Sequence, residues 1–264
     1  MTRIMRSRLR WLDLLPLGTI VLASAVAGLA VRGPAGRLDP VRAWCSPSSE
    51  RPLGCGEGGV DLAAFLSAAE LRAIALAVIV ATVGFVTGTT LGVAGALARG
   101  RIERSVERTC DLVQAFPSFL LALVVLSAVR APSRMHIGAV FVLTAWAPFA
   151  RLALAQTRAL RVAAFVEAAK AIGQTSFGVL GRHIVPNLVG VVAVQLGSTA
   201  AAVVVSEAAL GFVGLGPADG VSLGALIDQG VAAMLRAPHV LVVATAAVSA
   251  ANISLLLAGR VVER

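Results

Sequence analysis

The chain has 264 residues, of which 58% are hydrophobic and 14% charged, and its mean hydropathy is +0.87. A soluble domain of this length would not be so apolar. The net charge of +9 could indicate a nucleic acid partner, but neither a basic helix nor an aromatic RNA-binding motif accompanies the arginines. Several uncharged runs have the length of about 20 residues that crosses a bilayer. The composition therefore predicts an all-α, polytopic membrane protein.

Six apolar runs predict six transmembrane helices. The first follows four arginines, yet it is long for a signal peptide and no small-residue cleavage site stands out, so we interpret it as a span. The Phe116-Pro117 pair predicts a kink in the third span. Residues 61–72 are predicted to lie along the membrane surface as an amphipathic helix. The predicted spans are residues 12–31, 73–98, 112–129, 137–150, 187–205 and 239–258.

Basic residues are distributed unevenly between the segments that join these spans. Fifteen fall on one predicted side and eight on the other, so the positive-inside rule places both termini in the cytoplasm. Residues 1–70 would form the first span and an external loop, and residues 71–264 a five-helix core. Residues 99–111 would be a cytoplasmic loop and residues 210–238 an external segment.

The cytoplasmic segment 151–187 is the longest polar stretch between two predicted spans. Its alanine-rich residues 163–172 favour a helix, and Gly173 is a natural stop for it. Pro186 fits the first turn of the next helix, where its missing N–H costs nothing. A short helix, a turn and a new span would present a docking surface to a soluble partner; the alternative is an ordinary interhelical loop.

Glycines recur every fourth residue in the second span, at Gly84, Gly88 and Gly92, with Gly95 near the same face. Such stripes let helices approach closely in lipid. We expect a close helix contact here rather than a ligand site.

Two of the three cysteines, Cys45 and Cys55, lie in the predicted external loop, where a disulfide is permitted. We predict a bridge between them; two unpaired thiols are the alternative. No pair of cysteines or histidines has metal-ligand spacing, so no metal site is predicted.

The chain has no nucleotide-binding motif of its own, because its one lysine, Lys170, does not follow a glycine. Residues 220–224 match the G-x-S-x-G nucleophile pattern, but no strand precedes them. Ser222 and His239, together with Asp219 or Asp228, would supply the residue types of a Ser-His-Asp catalytic triad. A six-span intramembrane serine protease is therefore kept as an alternative.

Polar side chains within the predicted spans are candidates to line a translocation path, although hydrogen bonding between helices is the plainer interpretation of each. They form no network of carboxylates or histidines, which argues against an ion-coupled secondary transporter, the other alternative. These residues are Gln114, Gln195, Ser198, Thr199, Glu207 and Asn252.

The cytoplasmic segment resembles the signature of ABC importer permeases, which reads Glu-Ala-Ala, three residues, Gly, and then nine residues before Ile-x-Leu-Pro. The matching residues are Glu167, Ala168, Ala169, Gly173 and Pro186. His183 and Val185 depart from that pattern, but residues 182–187 look like the dipeptide/oligopeptide/nickel subfamily. Residues 207–216 (EAALGFVGLG) are similar to its second, C-type permease subunit. Residues 51–61 and 218–220 depart from the subfamily pattern. Both segments are predicted to lie on the outer face, where the substrate and the binding protein would make contact.

The resemblance implies a type I ABC importer (MetI-like) transmembrane domain in a bacterial inner membrane, which translocates dipeptides or oligopeptides by alternating access. The implied partners are a second, homologous permease subunit in a heterodimer, two ATP-binding subunits or one fused ATPase, an external substrate-binding protein and membrane lipid. ATP and Mg would be bound by the ATPase, so this chain would be a transport subunit without a cofactor, not an enzyme. The implied ATPase-coupling residues are Arg161, Glu167, Ala168, Ala169, Lys170, Gly173, Arg182 and Pro186.

Overall fold

The computed structural model describes residues 11–30 and 38–261, and about four fifths of them are helical. One short 3-10 helix lies before the first α-helix, and two more lie in the loop that follows it. The described helices are α1 (Leu15–Ala30), α2 (Leu62–Ala98), α3 (Gly100–Ala115), α4 (Ser118–Ser127), α5 (Arg134–Leu160), α6 (Ala164–Ala171), α7 (Ser176–Val179), α8 (Val185–Ala193), α9 (Gln195–Phe212), α10 (Leu223–Ala232) and α11 (Pro238–Arg260).

The membrane prediction is confirmed by the length and apolarity of the helices. Helices α2, α5 and α11 are long enough to cross a bilayer, as is the helical rod Ser176–Phe212, which joins α7, a π-helical turn, α8 and α9. Helices α3 and α4, bent by 69° at Phe116-Pro117, form a further span if they are taken together. The first predicted span corresponds to α1, which reaches the limit of the described residues at Ala30.

Asp61 caps the start of helix α2, because its side chain accepts hydrogen bonds from the amides of Ala63 and Ala64 at 2.9 and 3.4 Å. No proline interrupts the following 37 residues, so the helix continues without a break into the second predicted span. A helix does form over residues 62–72, but as the first three turns of α2 and not as a separate helix along the membrane surface. The proposed boundary at residues 70/71 also falls inside this continuous helix.

The predicted close helix contact is confirmed between α2 and α5. A Cβ atom built on Gly84 would lie 2.9 Å from the carbonyl oxygen of Ala145, and atoms on Gly88 and Gly92 would collide with the α5 backbone. Gly95 instead faces Val106 of α3. The glycine stripe thus lets α5 lie directly against α2, and this pair forms the centre of the bundle.

Two predicted loops contain helices. Residues 99–111 form most of α3, because the chain changes direction at Arg99 (φ 56°) and then resumes helical geometry. Residues 210–238 contain α10, which Ser222 caps by accepting a hydrogen bond from the Ala225 amide at 3.1 Å. Residues 100–115 are strongly amphipathic at the helical period, a signal for a helix that the loop prediction overlooked.

The bundle has two ends that differ in structure. At one end, which we call the disulfide end because Cys45 and Cys55 are bonded there, lie the loop of residues 38–61 and the connection of residues 213–222. At the α6 end lie the last turns of α2 and α5 together with α6 itself. Helix α2 runs the full distance between them, about 55 Å at the rise of an α-helix.

Candidate coupling surface and translocation cavity

Helix α6 packs on the bundle through one narrow face. Val166 and Ala169 are buried against Val179 and Ile184 of the following rod. Three positions of the predicted signature, Glu167, Ala168 and Lys170, are exposed on the remaining faces. The alternation follows from the helical period, which places residues 166 and 169 on one side. The predicted short helix is thus confirmed, and it presents most of its surface outward.

Gly173 ends this helix in the way its sequence predicts. Its φ of +88° is in the left-handed region, and its amide donates to the Lys170 carbonyl at 3.0 Å. The Gln174 amide donates to the Ala169 carbonyl at 3.1 Å, which closes a Schellman-type cap. No atom lies within 4 Å of a Cβ built at Gly173. Glycine is therefore required here by backbone conformation and not by crowding.

Large apolar side chains surround α6 and point away from the bundle. Val162 is 66% exposed, Phe165 43%, Ile172 79% and Phe177 87%. Exposed apolar groups gathered at one site mark a contact surface rather than a solvated one. Together with the outward faces of α6 they form what we call the α6 surface.

Arg161 anchors the base of this surface to two other helices. Its guanidinium donates to the Ala96 carbonyl at the end of α2 at 2.5 Å and lies 3.7 Å from the Glu103 carboxylate of α3. Arg158, one turn earlier, binds Glu103 at 2.8 Å and Glu107 at 3.2 Å. Neither the two glutamates nor Arg158 could be predicted as part of this site, because no local sequence pattern links residues about 50 positions apart.

The segment after Gly173 is tied to α6 by side-chain contacts. The His183 Nε2 atom lies 3.1 Å from the Gln174 Oε1 atom, and its ring lies beside Phe165. Pro186 occupies the first turn of α8, as predicted, but α8 continues a rod that begins at residue 176. Arg182 is exposed on the π-helical turn. The coupling roles of these residues, and of those in α6, stay predictions.

Four of the predicted path residues meet at one cavity of about 320 Å³ between α3, α4, α5 and α9. Gln114, Gln195, Ser198 and Thr199 all line it. Ser118, Thr144 and Ser206 contribute further hydroxyl groups, and no pattern in the sequence singled them out. Every polar side chain in its lining is neutral. Such a cavity offers hydrogen bonds without a fixed charge.

The other two predicted path residues lie elsewhere. Glu207 is 3% exposed, and its Oε2 atom has no hydrogen-bond partner among the described residues. Asn252 is half-buried on α11. Neither contributes to the lining of the cavity.

The structure does not bring Ser222, His239 and an aspartate together as a catalytic triad. Ser222 is 1% exposed, and its hydroxyl caps α10. His239 lies against Gly54 of the disulfide-end loop, and its Nε2 atom has no hydrogen-bond partner within the described part of the chain. Asp219 instead binds Arg134 and Arg72.

The loop at the disulfide end is closed by a bond between Cys45 and Cys55, whose sulfur atoms lie 2.00 Å apart. The Cys55 amide donates to the Cys45 carbonyl at 2.9 Å, and the Arg236 guanidinium stacks over the Trp44 ring at 4.5 Å. These contacts hold the loop against the residues that precede α11.

Comparison with known proteins assigns the family. The model of the family described as "binding-protein-dependent transport system inner membrane component" matches residues 84–264, more than half of the chain. The chain belongs to this family. The resemblance to ABC importer permeases is therefore confirmed, and the protease and secondary-transporter alternatives have no support from it.

Individual relatives agree with that assignment. The chain is similar to the glutathione transport system permease protein GsiD of Pectobacterium atrosepticum, with 30% identity over 74% of this chain and 64% of that protein. It is 32% identical to the protein of the same name from Shigella dysenteriae over 74% of this chain and 65% of that one. The matched region thus spans slightly less than two thirds of the length of these relatives.

A solved structure supports the fold. The methionine ABC transporter MetNI, in an inward-facing conformation, is similar with a TM-score of 0.56 and 21% identity, covering 76% of this chain and 97% of that chain. At this identity the likeness bears on the fold alone. The predicted MetI-like transmembrane architecture is confirmed.

Proposed function

We propose that this chain is a permease subunit of an ATP-driven ABC importer for peptides, glutathione-like tripeptides among them. The observation that carries the proposal is the α6 surface, an exposed apolar face on a short helix that bears the family's cytoplasmic signature. A membrane chain without a nucleotide-binding motif needs an outside source of energy and a surface on which to receive it. The names of the glutathione relatives support the substrate class.

The α6 surface would dock into a groove on an ATP-binding subunit, which would bind ATP and Mg. Two features make α6 suitable for transmitting a movement. Val166 and Ala169 seat it on the rod, and Arg161 ties its base to α2 and α3. A stiff element that can occupy two positions is what such coupling requires. Movement of α6 would therefore carry α2, α3 and the rod together.

The neutral cavity would be this subunit's half of the translocation path. Amide and hydroxyl groups can exchange hydrogen bonds with the backbone of any peptide, whatever its side chains. Because no fixed charge lines the cavity, an ionised side chain or terminus would find no counter-ion here. Selectivity would then be supplied by an external substrate-binding protein and by a second, homologous permease subunit facing the cavity.

The proposed orientation puts the α6 end in the cytoplasm of a bacterial cell, with both termini on that side of the inner membrane. The disulfide end then faces outward, toward the binding protein. The excess of arginines at the α6 end supports this orientation, as does the Cys45–Cys55 bond, which an oxidising compartment allows.

The experiment replaces Gly173 with valine in the assembled transporter. The side chain meets no neighbour within the chain but must adopt φ +88°, which costs about 1–2 kcal/mol and alters how the helix ends. We expect co-purification of the ATPase and ATP-driven peptide uptake to be lost while membrane insertion is unchanged.

Gly214→Val is the matched control, because Gly214 also has a positive φ (+81°) and open space around it but lies at the disulfide end. It should leave co-purification of the ATPase intact. Normal uptake by Gly173→Val, or equal loss of the ATPase in both variants, would contradict the assignment of α6.

A further inference from the structure

A groove runs down the outside of the bundle between α2 and α5 from the disulfide end. It has a volume of about 450 Å³, and its walls are almost wholly apolar. We call it the α2–α5 groove. Its lining includes Leu76 and Ile79 of α2, and Gly138, Ala139 and Val142 of α5.

The groove is open to its surroundings and is not a packing defect. Ile79 is 60% exposed and Met135 is 84% exposed at its walls. Gly138 keeps it open, because a Cβ atom there would lie 2.9 Å from the Leu76 Cδ1 atom. The neutral translocation cavity uses other residues of α5, namely 141, 144, 145 and 148, so the groove faces a different direction.

Two arginines stand at the upper rim of the groove. Arg72 and Arg134 both line it, and both bind the Asp219 carboxylate, at 3.1 and 2.5 Å. Burial alone would raise the pKa of Asp219, but hydrogen bonds from Arg134 and the Val221 amide and the charges of both arginines lower it below its usual range. Asp219 is therefore ionised at neutral pH, and the rim keeps one net positive charge.

The rim coincides with the boundary of the apolar part of both helices. No charged residue occurs in α2 between Arg72 and its end at Ala98. From Arg72 to Val80 the groove extends about 12 Å along α2 at the helical rise, which is less than half of a hydrocarbon core of about 30 Å. The groove thus lies within one leaflet, with its cations at the level of the headgroups.

We propose that the α2–α5 groove binds an anionic phospholipid of the leaflet at the disulfide end. The phosphate would lie at Arg72 and Arg134, and an acyl chain would fill the apolar groove below them. A cationic rim above an apolar slot matches an amphiphile with an anionic head, and the long arginine side chains can reach the headgroup while their stems lie on apolar surface.

The test uses the complete transporter in membranes that contain phosphatidylglycerol or phosphatidylcholine with a photoactivatable group in the acyl chain. The readout is the amount of lipid cross-linked to peptides from residues 72–80 and 134–142. One net positive charge should favour phosphatidylglycerol by about five-fold, from the attraction of a basic residue near an anionic surface.

Variants of the rim should move this preference in opposite directions. Arg72→Gln brings the net charge of the rim to zero and leaves the Arg134 contacts in place, so the preference should disappear. Asp219→Asn keeps an acceptor for the Val221 amide and adds one positive charge, so the preference should rise about five-fold again. Arg130→Gln, which changes another arginine just before α5, should have no effect.

Filling the groove should act on both lipids equally. Ala139→Phe places a ring in the slot and should remove cross-linking of either lipid, whereas Ala246→Phe, on the exposed face of α11, should not. Equal labelling by the two lipids in the unmodified transporter, unchanged by Arg72→Gln, would overturn the proposal in favour of ordinary surrounding lipid. A cross-link from Ile79→Cys to the second permease subunit would also overturn it, because protein would then cover the groove.

Discussion

The contact between α2 and α5 gives the sharpest quantitative prediction, because it can be tested with three helical glycines whose surroundings differ: Gly88 in α2, Gly138 in α5 and Gly18 in α1. A Cβ atom on Gly88 would collide with the Trp146 carbonyl and lie 2.7 Å from the Phe149 Cβ and 3.0 Å from the Ala150 amide. On Gly138 it would meet only the end of the Leu76 side chain, and on Gly18 it would meet nothing within 4 Å.

The change is a single methyl group, introduced as Gly88→Ala, Gly138→Ala or Gly18→Ala. Each substitution gains about 0.5–1 kcal/mol because alanine favours a helix over glycine. At Gly88 the added atom meets backbone that cannot rotate away, so α5 must retreat, at an overpacking cost of about 1–3 kcal/mol. At Gly138 the leucine can change rotamer, and the cost is smaller.

The measurement is the free energy of unfolding of the assembled transporter in mixed micelles. Subtracting the result for Gly18→Ala from that for Gly88→Ala removes the helix-propensity contribution and leaves the packing cost. We expect the free energy of unfolding of Gly88→Ala to be about 1–3 kcal/mol lower than that of Gly18→Ala, and that of Gly138→Ala to lie between these two values. If Gly88→Ala is as stable as Gly18→Ala, the helices are not held at this separation and the reasoning is wrong.

Three further predictions concern the sites. Arg161→Gln should reduce the uptake of peptide per ATP hydrolysed, since the base of α6 loses its ties to α2 and α3 while Arg158 still binds Glu103; an unchanged ratio of uptake to hydrolysis would contradict this. Thr199→Val keeps the shape of the cavity but removes a hydroxyl group, so it should weaken transport, measured as a higher apparent KM, whereas Thr245→Val on α11 should not. Cys45 and Cys55 should resist a thiol-reactive label in unreduced membranes and react after reduction; labelling without a reductant would show that the bond is absent in the cell.

The amino-acid sequence by itself determined the class of the molecule and the presence and end of helix α6. Those features depend on neighbouring residues alone. The apolar runs fall near the length of a bilayer, alanines favour the helix at 164–171, and Gly173 takes up the left-handed conformation that ends it. The glycine stripe likewise predicted a close helix contact, because that prediction needed only the spacing of the glycines along one helix.

The tertiary structure decided what each local feature faces. Asp61 and an uninterrupted helical stretch joined the predicted surface helix to the second span, which apolarity alone had divided at Arg72. Gln114 and Gln195 share one cavity while Glu207 does not, although all three are polar residues in spans. The ties from Arg158 and Arg161 to Glu103 cross more than 50 residues of chain. Such partners are chosen by the packing of whole helices, for which no single stretch of sequence carries a signal.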